Sequence, residues 1–260
     1  YSYDSASNTI TCKNIKTKMT KKIACYENMQ EDIVQIVYAN NLVYILTEIG
    51  KNHIARIAGS NLKYVSGWKL TNWTPRTGTA VVTVNNAIYV FGGKALADDS
   101  KEESSGTCYN ELYVYDIATK SSEKLEVPED VTARYDAKMV ASQRSGKLWI
   151  LSGKDDSDSK ALDIWEFNTR SQKWEYINDL PQSDGDNSVG YDDKNDILTL
   201  LITPESEESN LFSMNNTLRD ISQASSDAVI YKLQNLSTVT DTAEQSGQIE
   251  IGRVSCRERV

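Results

Sequence analysis

Ala80-Val-Val-Thr-Val-Asn-Asn-Ala-Ile-Tyr-Val-Phe-Gly-Gly93 is the stretch that decides the fold class. Two runs rich in β-branched and aromatic residues flank Asn85-Asn86, and asparagine tolerates the positive φ of a two-residue hairpin turn. The second run closes on Gly92-Gly93, as expected where a strand ends against a crowded neighbour that leaves no room for side chains. After a polar insertion come Glu111-Leu-Tyr-Val-Tyr-Asp116 and then Ser121 to Val127. Together these runs make one four-stranded antiparallel unit.

The same order recurs on both sides. Downstream lie Ala137 to Ser142, Lys147-Leu-Trp-Ile-Leu151 with Ser152-Gly153, Ala161 to Phe167 and Lys173 to Ile177. Upstream lie Ile33 to Ala39, Asn41 to Ile49, His53 to Ala58 and Leu62 to Trp68. A further unit reads as Asn187 to Tyr191, Asp196 to Ile202, Asp227 to Leu233 and Ser237 to Thr240. Tyr1 to Ile15 reads as the outer two strands of a unit whose beginning is missing. No long 3.6-residue periodicity interrupts the pattern, so the chain reads as all-β. In each unit, a residue closing the third strand lies seven positions before a fourth-strand residue: Tyr3/Ile10, Ile57/Tyr64, Tyr115/Ser122, Phe167/Trp174 and Tyr231/Thr238. A repeat of roughly 50 residues with insertions is the size of a propeller blade.

Pro75-Arg-Thr-Gly-Thr-Ala-Val-Val82, Ile88-Tyr-Val-Phe-Gly-Gly93 and Leu112-Tyr-Val-Tyr-Asp116 resemble a kelch motif in order and spacing. Ala133-Arg134, Leu148 to Gly153 and Trp165 to Trp174 resemble a second, degenerate copy. The resemblance implies a kelch-type β-propeller, here a partial ring of about four to five blades. Blades are expected over 31–70, 71–130, 131–182 and 183–240, preceded by outer strands at 1–16 and a linker loop at 17–30, and followed by a tail at 241–260. Gly92, Gly93, Gly153, Tyr115, Phe167 and Trp174 are the expected motif positions. The resemblance further implies a non-enzymatic scaffold that recognises a protein, or alternatively a glycan, through loops on one face. The alternative of another class is a fragment of a galactose-oxidase-like copper enzyme whose ligands lie in other blades.

Candidate site residues follow from that layout. Arg76 and Arg134 occupy the same place in two repeats, and by kelch analogy they face the ring's mouth, where they would meet an acidic ligand or a carbonyl. The competing reading is a hydrogen bond between blades. The connections between second and third strands are long and acidic, with Asp98, Asp99, Glu102 and Glu103 in one and Asp155, Asp156 and Asp158 in the next. Loops that share a face carry binding in such folds, whereas a solvated acidic rim that maintains solubility is the plainer reading. Asp155 to Asp158 and Asp184-Gly-Asp186 invite calcium, but neither has an EF-hand's spacing and turn chemistry accounts for both. No cofactor, metal or catalytic residue is expected.

Composition narrows the function classes. The 260 residues carry a net charge of −9, which argues against nucleic acid. Mean hydropathy is −0.50 and no apolar run reaches bilayer length. His53, the sole histidine, cannot supply the paired histidines of a copper site, and no GxSxG accompanies it. Cys12 and Cys25 are near enough in sequence to pair, whereas no Cys/His cluster suggests zinc. The lysine-rich run from Lys13 to Lys22 reads as a solvated loop. Sequons at Asn72, Asn215 and Asn235 are no more than chance supplies, and the compartment stays open between an extracellular surface and the cytoplasm. Residues 251–260 switch to a basic style resembling a translated sequencing adapter and are expected to be non-native.

Overall fold

The structure, a computed structural model, describes residues 2–4, 7–13, 17–26, 33–96, 106–180, 188–202, 229–234 and 249–252. Every regular element among them is a strand. The chain divides into two compact units, residues 1–137 with 154–159, and residues 138–153 with 160–260.

In the first unit, β1 (Ser2–Asp4), β2 (Thr9–Lys13) and β3 (Thr20–Ala24) form an antiparallel meander. Next come β4 (Ile33–Ala39), β5 (Leu42–Thr47), β6 (Asn52–Ala58) and β7 (Asn61–Trp68), antiparallel throughout. The two sets join at one parallel pairing, Ala24 with Asn61. A lysine-rich loop at 17–30 is therefore corrected at its centre. Ile23 sits opposite Ile10, both 1% exposed, and they share a core with Val43, Ile45, Ala55 and Leu62. Burying such a side chain contributes about 1.5–3 kcal/mol, enough to draw the flanking lysines into a strand whose other face stays wet.

β8 (Arg76–Thr77), β9 (Ala80–Val84), β10 (Ala87–Phe91), β11 (Lys94–Ala95), β12 (Leu112–Asp116) and β13 (Ser121–Leu125) complete this unit. β1 to β7 thus form one seven-stranded sheet and β9, β10, β12 and β13 a four-stranded one, while β8 and β11 form a two-stranded ribbon that the periodicity did not show. The Asn-Asn turns behave as expected: Asn40 and Asn41 take φ of 49° and 61°, and Asn85 and Asn86 take 48° and 64°. All five residues of β10 are buried, as an apolar run flanked on both faces must be.

The second unit holds β14 (Lys138–Ala141), β15 (Lys147–Leu151), β16 (Asp163–Asn168) and β17 (Lys173–Asp179), followed by β18 (Ser188–Asp192), β19 (Ile197–Ile202), β20 (Val229–Gln234) and β21 (Ile249–Gly252). Each set of four is one antiparallel sheet in chain order. Trp149, Leu151, Ile164, Leu180 and Leu198 form its core. β15 is buried along its whole length. The last strand corrects the sequence reading: β21 pairs with β20, Tyr231 facing Ile251, in the place given to Ser237–Thr240, which lie outside the described residues. The expectation of a non-native segment at 251–260 thus overlaps a paired strand at Ile251 and Gly252, and 253–260 lie outside the described residues.

The seven-residue offset is a property of the hairpin itself. Tyr3 faces Ile10, Tyr115 faces Ser122 and Phe167 faces Trp174, the last with ring centroids 4.9 Å apart. Ile57 instead faces Leu62, because Ala58 pairs with Asn61 across a two-residue turn, Gly59-Ser60, where the other three hairpins turn over four residues. Disulfide formation between Cys12 and Cys25 is excluded by the same ladder logic. Cys12 lies opposite Lys21, four positions along β3 from Cys25, and both thiols are free. Four strand positions are about 13 Å, well beyond the ~7 Å a disulfide spans.

Candidate functional site

Gly92 and Gly93 bend the chain out of β10 with φ of 69° and 101°, and Ser152 and Gly153 repeat the bend after β15 with 60° and 102°. The backbone of the motif survives in the second copy although serine replaces its first glycine. At Gly93 the amide donates to the Arg134 carbonyl at 2.8 Å and the carbonyl accepts from the Tyr109 amide at 2.9 Å. A Cβ on Gly93 would lie 2.6 Å from the Thr79 methyl and 2.9 Å from Arg76 Cδ, so the chain passes here only as glycine.

Arg76 and Arg134 are equivalent in geometry as well as position. Each Nε donates to the carbonyl two residues earlier, Thr74 at 3.0 Å and Thr132 at 2.9 Å, and each residue is 0% exposed. Arg76 Nη1 lies 2.8 Å from Glu111 Oε2 and 3.4 Å from the Gly92 carbonyl oxygen, with its guanidinium 3.5 Å from the Tyr109 ring centroid and 4.3 Å from that of Trp73. Glu111 also accepts from Lys124 Nζ at 2.5 Å and from the Tyr113 hydroxyl at 3.2 Å. Burial alone would raise the Glu111 carboxyl, but Lys124 and Arg76 outweigh it and hold it below its ordinary value. Both arginines are enclosed by protein, and the contacts of Arg76 tie one strand connection to the next.

The acidic loop residues divide. Asp98, Asp99, Glu102 and Glu103 lie outside the described residues. Asp155 closes its own turn: Oδ1 accepts the Ser157 and Ser159 amides at 2.8 and 2.9 Å, and the Asp158 amide donates to the Asp155 carbonyl at 3.0 Å. That turn aims Asp158 at the neighbouring repeat. Its Oδ1 accepts the Tyr135 hydroxyl at 2.7 Å and lies 3.2 Å from Lys94 Nζ, which sits 4.8 Å from the Tyr135 ring centroid. The Tyr135 hydrogen bond, then Lys94, hold Asp158 below the usual carboxylate range, and Asp158 in turn pushes the Tyr135 phenol up to about 12. Asp156 accepts the Cys108 amide. Burial, then Asp156, push the Cys108 thiol up to about 12, making it a poor nucleophile at neutral pH.

Three connections are thereby fastened into one surface: the stretch after Gly93, the approach to β14 and the turn at 154–159. The Asp158 side chain remains 64% exposed. Lys94 and Tyr135 were missed in the sequence, yet a signal existed. Lys94 and Lys154 both follow the glycine bend, and each pairs with the residue next to a buried arginine: Lys94 with Thr77, Lys154 with Tyr135. Among the described residues no group of His, Cys, Asp or Glu is arranged to hold a metal ion, and no helix is long and apolar enough to cross a membrane.

Successive four-stranded antiparallel sheets with glycine-bent second strands define the blades of a β-propeller-type repeat protein. The family model for the KLHDC2/KLHL20/DRC7 Kelch-repeats domain matches residues 66–190, just under half of the chain, and over that stretch the chain is similar to a kelch-repeat domain. The match takes in the whole of β8 to β17, where the motif was most legible. No curated protein matches the chain significantly.

Proposed function

We propose that this kelch-like chain is a non-enzymatic scaffold that recognises a partner protein through the surface built from Lys94, Tyr135, Asp156 and Asp158, with the acidic residues of the insertion at 98–103 as further contacts. The observation that carries the reading is the Asp158 contact. Loops that merely solvate a fold need no fixed partners, whereas here the Asp158 carboxylate is held by a phenol of its own repeat and an ammonium group from the previous one and still faces solvent. Order of that kind reduces the entropy lost on binding. The preponderance of exposed carboxylates favours a partner with a basic surface.

Asp158→Ala, and a second variant with Asp98, Asp99, Glu102 and Glu103 changed to Asn or Gln, test the proposal against a partner isolated by affinity capture. Both variants are expected to melt within about 0.5 kcal/mol of the parent, as surface changes do, and to lose affinity that weakens further with salt. Undiminished affinity in both variants would sink the proposal.

A further inference from the structure

The sign of the chain reverses along β2 and β3. No carboxylate side chain occurs between Asp4 and Glu27, while Lys13, Lys16, Lys18, Lys21 and Lys22 fall within ten residues. In a chain of net charge −9 that is a concentrated basic segment. Ile23 alone in β3 is buried, whereas Thr20, Lys21, Lys22 and Ala24 face solvent, as do Lys18 and Met19 just ahead of them. Lys18 takes a φ of 59°, and the Met19 amide donates to Thr17 Oγ1 at 3.4 Å in the turn that leads into the strand. Met19 is 73% exposed, more than any other large apolar side chain described.

The ladder sets where the lysines stand. Ile23 pairs with Ile10 on the core side, and Lys21, two positions away, pairs with Cys12 on that same side, past the rim of the core. Lys22 pairs with Thr11 and belongs to the opposite side, because successive strand residues alternate. Lysines therefore stand on both faces of the ribbon, near the end where β2 passes into β3 and Met19 is displayed. A folded partner or a peptide lying against one face would meet one set and leave the other in water. A charged surface met end-on engages both sets, and Met19 with them.

We infer that this end of the ribbon is a membrane-surface anchor, its lysines engaging the headgroups of anionic phospholipids and Met19 entering the boundary between headgroups and acyl chains. The thioether supplies the apolar contact, and the lysine stems flank it while their ammonium groups stay at headgroup level. Each lysine near an anionic leaflet strengthens binding roughly fivefold. The acidic surface elsewhere does not cancel that attraction, since at physiological salt its repulsion reaches only about 8 Å, and it turns the rest of the chain away from the bilayer. None of the residues of the loop surface proposed above enters this inference.

Cosedimentation of the full chain with vesicles is the test. Phosphatidylcholine vesicles with about one part in three of phosphatidylserine should bind the chain, and phosphatidylcholine alone should not. Lys18→Gln/Lys21→Gln/Lys22→Gln should weaken binding about a hundredfold and keep the parent's melting temperature, because all three side chains are exposed. Lys69→Gln/Lys138→Gln/Lys173→Gln, exposed lysines elsewhere, controls for charge and should bind as the parent does. Met19→Ser should weaken binding several-fold at every salt concentration, whereas the lysine contribution falls as salt rises. No binding to the anionic vesicles, equal loss in the control variant, or parental binding by either the triple variant or Met19→Ser would overturn the inference. Retention on immobilised polyglutamate without any binding to vesicles would also overturn it, and would assign the ribbon to an acidic protein partner.

Discussion

Gly93 and Ser152 show how much of the motif is steric and how much conformational. Gly93 combines a φ of 101° with neighbouring atoms 2.6 to 2.9 Å from where a Cβ would stand, so Gly93→Val should cost at least about 2 kcal/mol through overpacking and left-handed strain together. Ser152 already occupies the left-handed region at 60°, so Ser152→Gly should stay within about 1 kcal/mol of the parent, strain relief offsetting added chain entropy. Urea melts of the two variants check the contrast, and a Gly93→Val protein as stable as the parent would contradict it. Glu111 gives a pH signature. Its folded carboxyl is held below its unfolded value, so its contribution is present above the unfolded pKa and disappears as pH falls through the folded one. Glu111→Gln should therefore lower the melting temperature at pH 7 and converge on the parent in acid. A gap that persisted unchanged down to pH 2 would mean that Arg76 and Lys124 contribute nothing through the carboxylate's charge.

At the scale of strands, β15 and β16 carry a buried ion pair that the sequence did not announce. Lys147 Nζ lies 2.7 Å from Glu166 Oε1, and the Trp149 indole donates to the other oxygen at 2.9 Å. Burial pushes the Glu166 carboxyl up, against the pull of the lysine and the indole. Removing one partner strands a buried charge, so Lys147→Met should cost about 3–5 kcal/mol, and Lys147→Met/Glu166→Gln should recover most of it. The single variant should suffer less at pH 5 than at pH 8, because protonation neutralises the stranded carboxyl. Chemical melts at the two pH values decide the point, and an additive double variant would refute it. Strand positions such as Ile33–Ala39, Ala80–Val84 and Lys147–Leu151 were legible because alternation, Asn-Asn turns and apolar runs are local signals. β3 was not, since Ile23 is one apolar residue among lysines and its burial depends on Ile10 and Leu62, distant in sequence. The site was legible only in part. Asp155 and Asp158 stand out as acidic, but Tyr135 is invisible until the turn at 154–159 is folded against it.

Over the whole molecule the net charge of −9 governs response to ions. Like charges spread over a surface repel one another, and salt near physiological strength shortens their reach to about 8 Å. The ion pairs that salt would weaken are partly shielded: Arg76 is fully buried and Lys147 and Glu166 nearly so. Raising sodium chloride from low to physiological strength should therefore raise the melting temperature. Calcium poses the sharper question, because Asp155, Asp156 and Asp158 lie within four residues. One oxygen of each is already engaged, Asp155 with the Ser157 and Ser159 amides, Asp156 with the Cys108 amide, and Asp158 with Tyr135 and Lys94. A cation would have to break those bonds and displace an ammonium group to gather ligands that do not converge. At matched ionic strength, calcium chloride should accordingly stabilise the protein no more than sodium chloride does. Thermal scans in the two salts provide the check, repeated on Asp155→Asn. A calcium-specific rise in the parent that vanishes in Asp155→Asn would show that the turn opens to bind the ion, and that Asp158 is held toward Tyr135 only while calcium is absent.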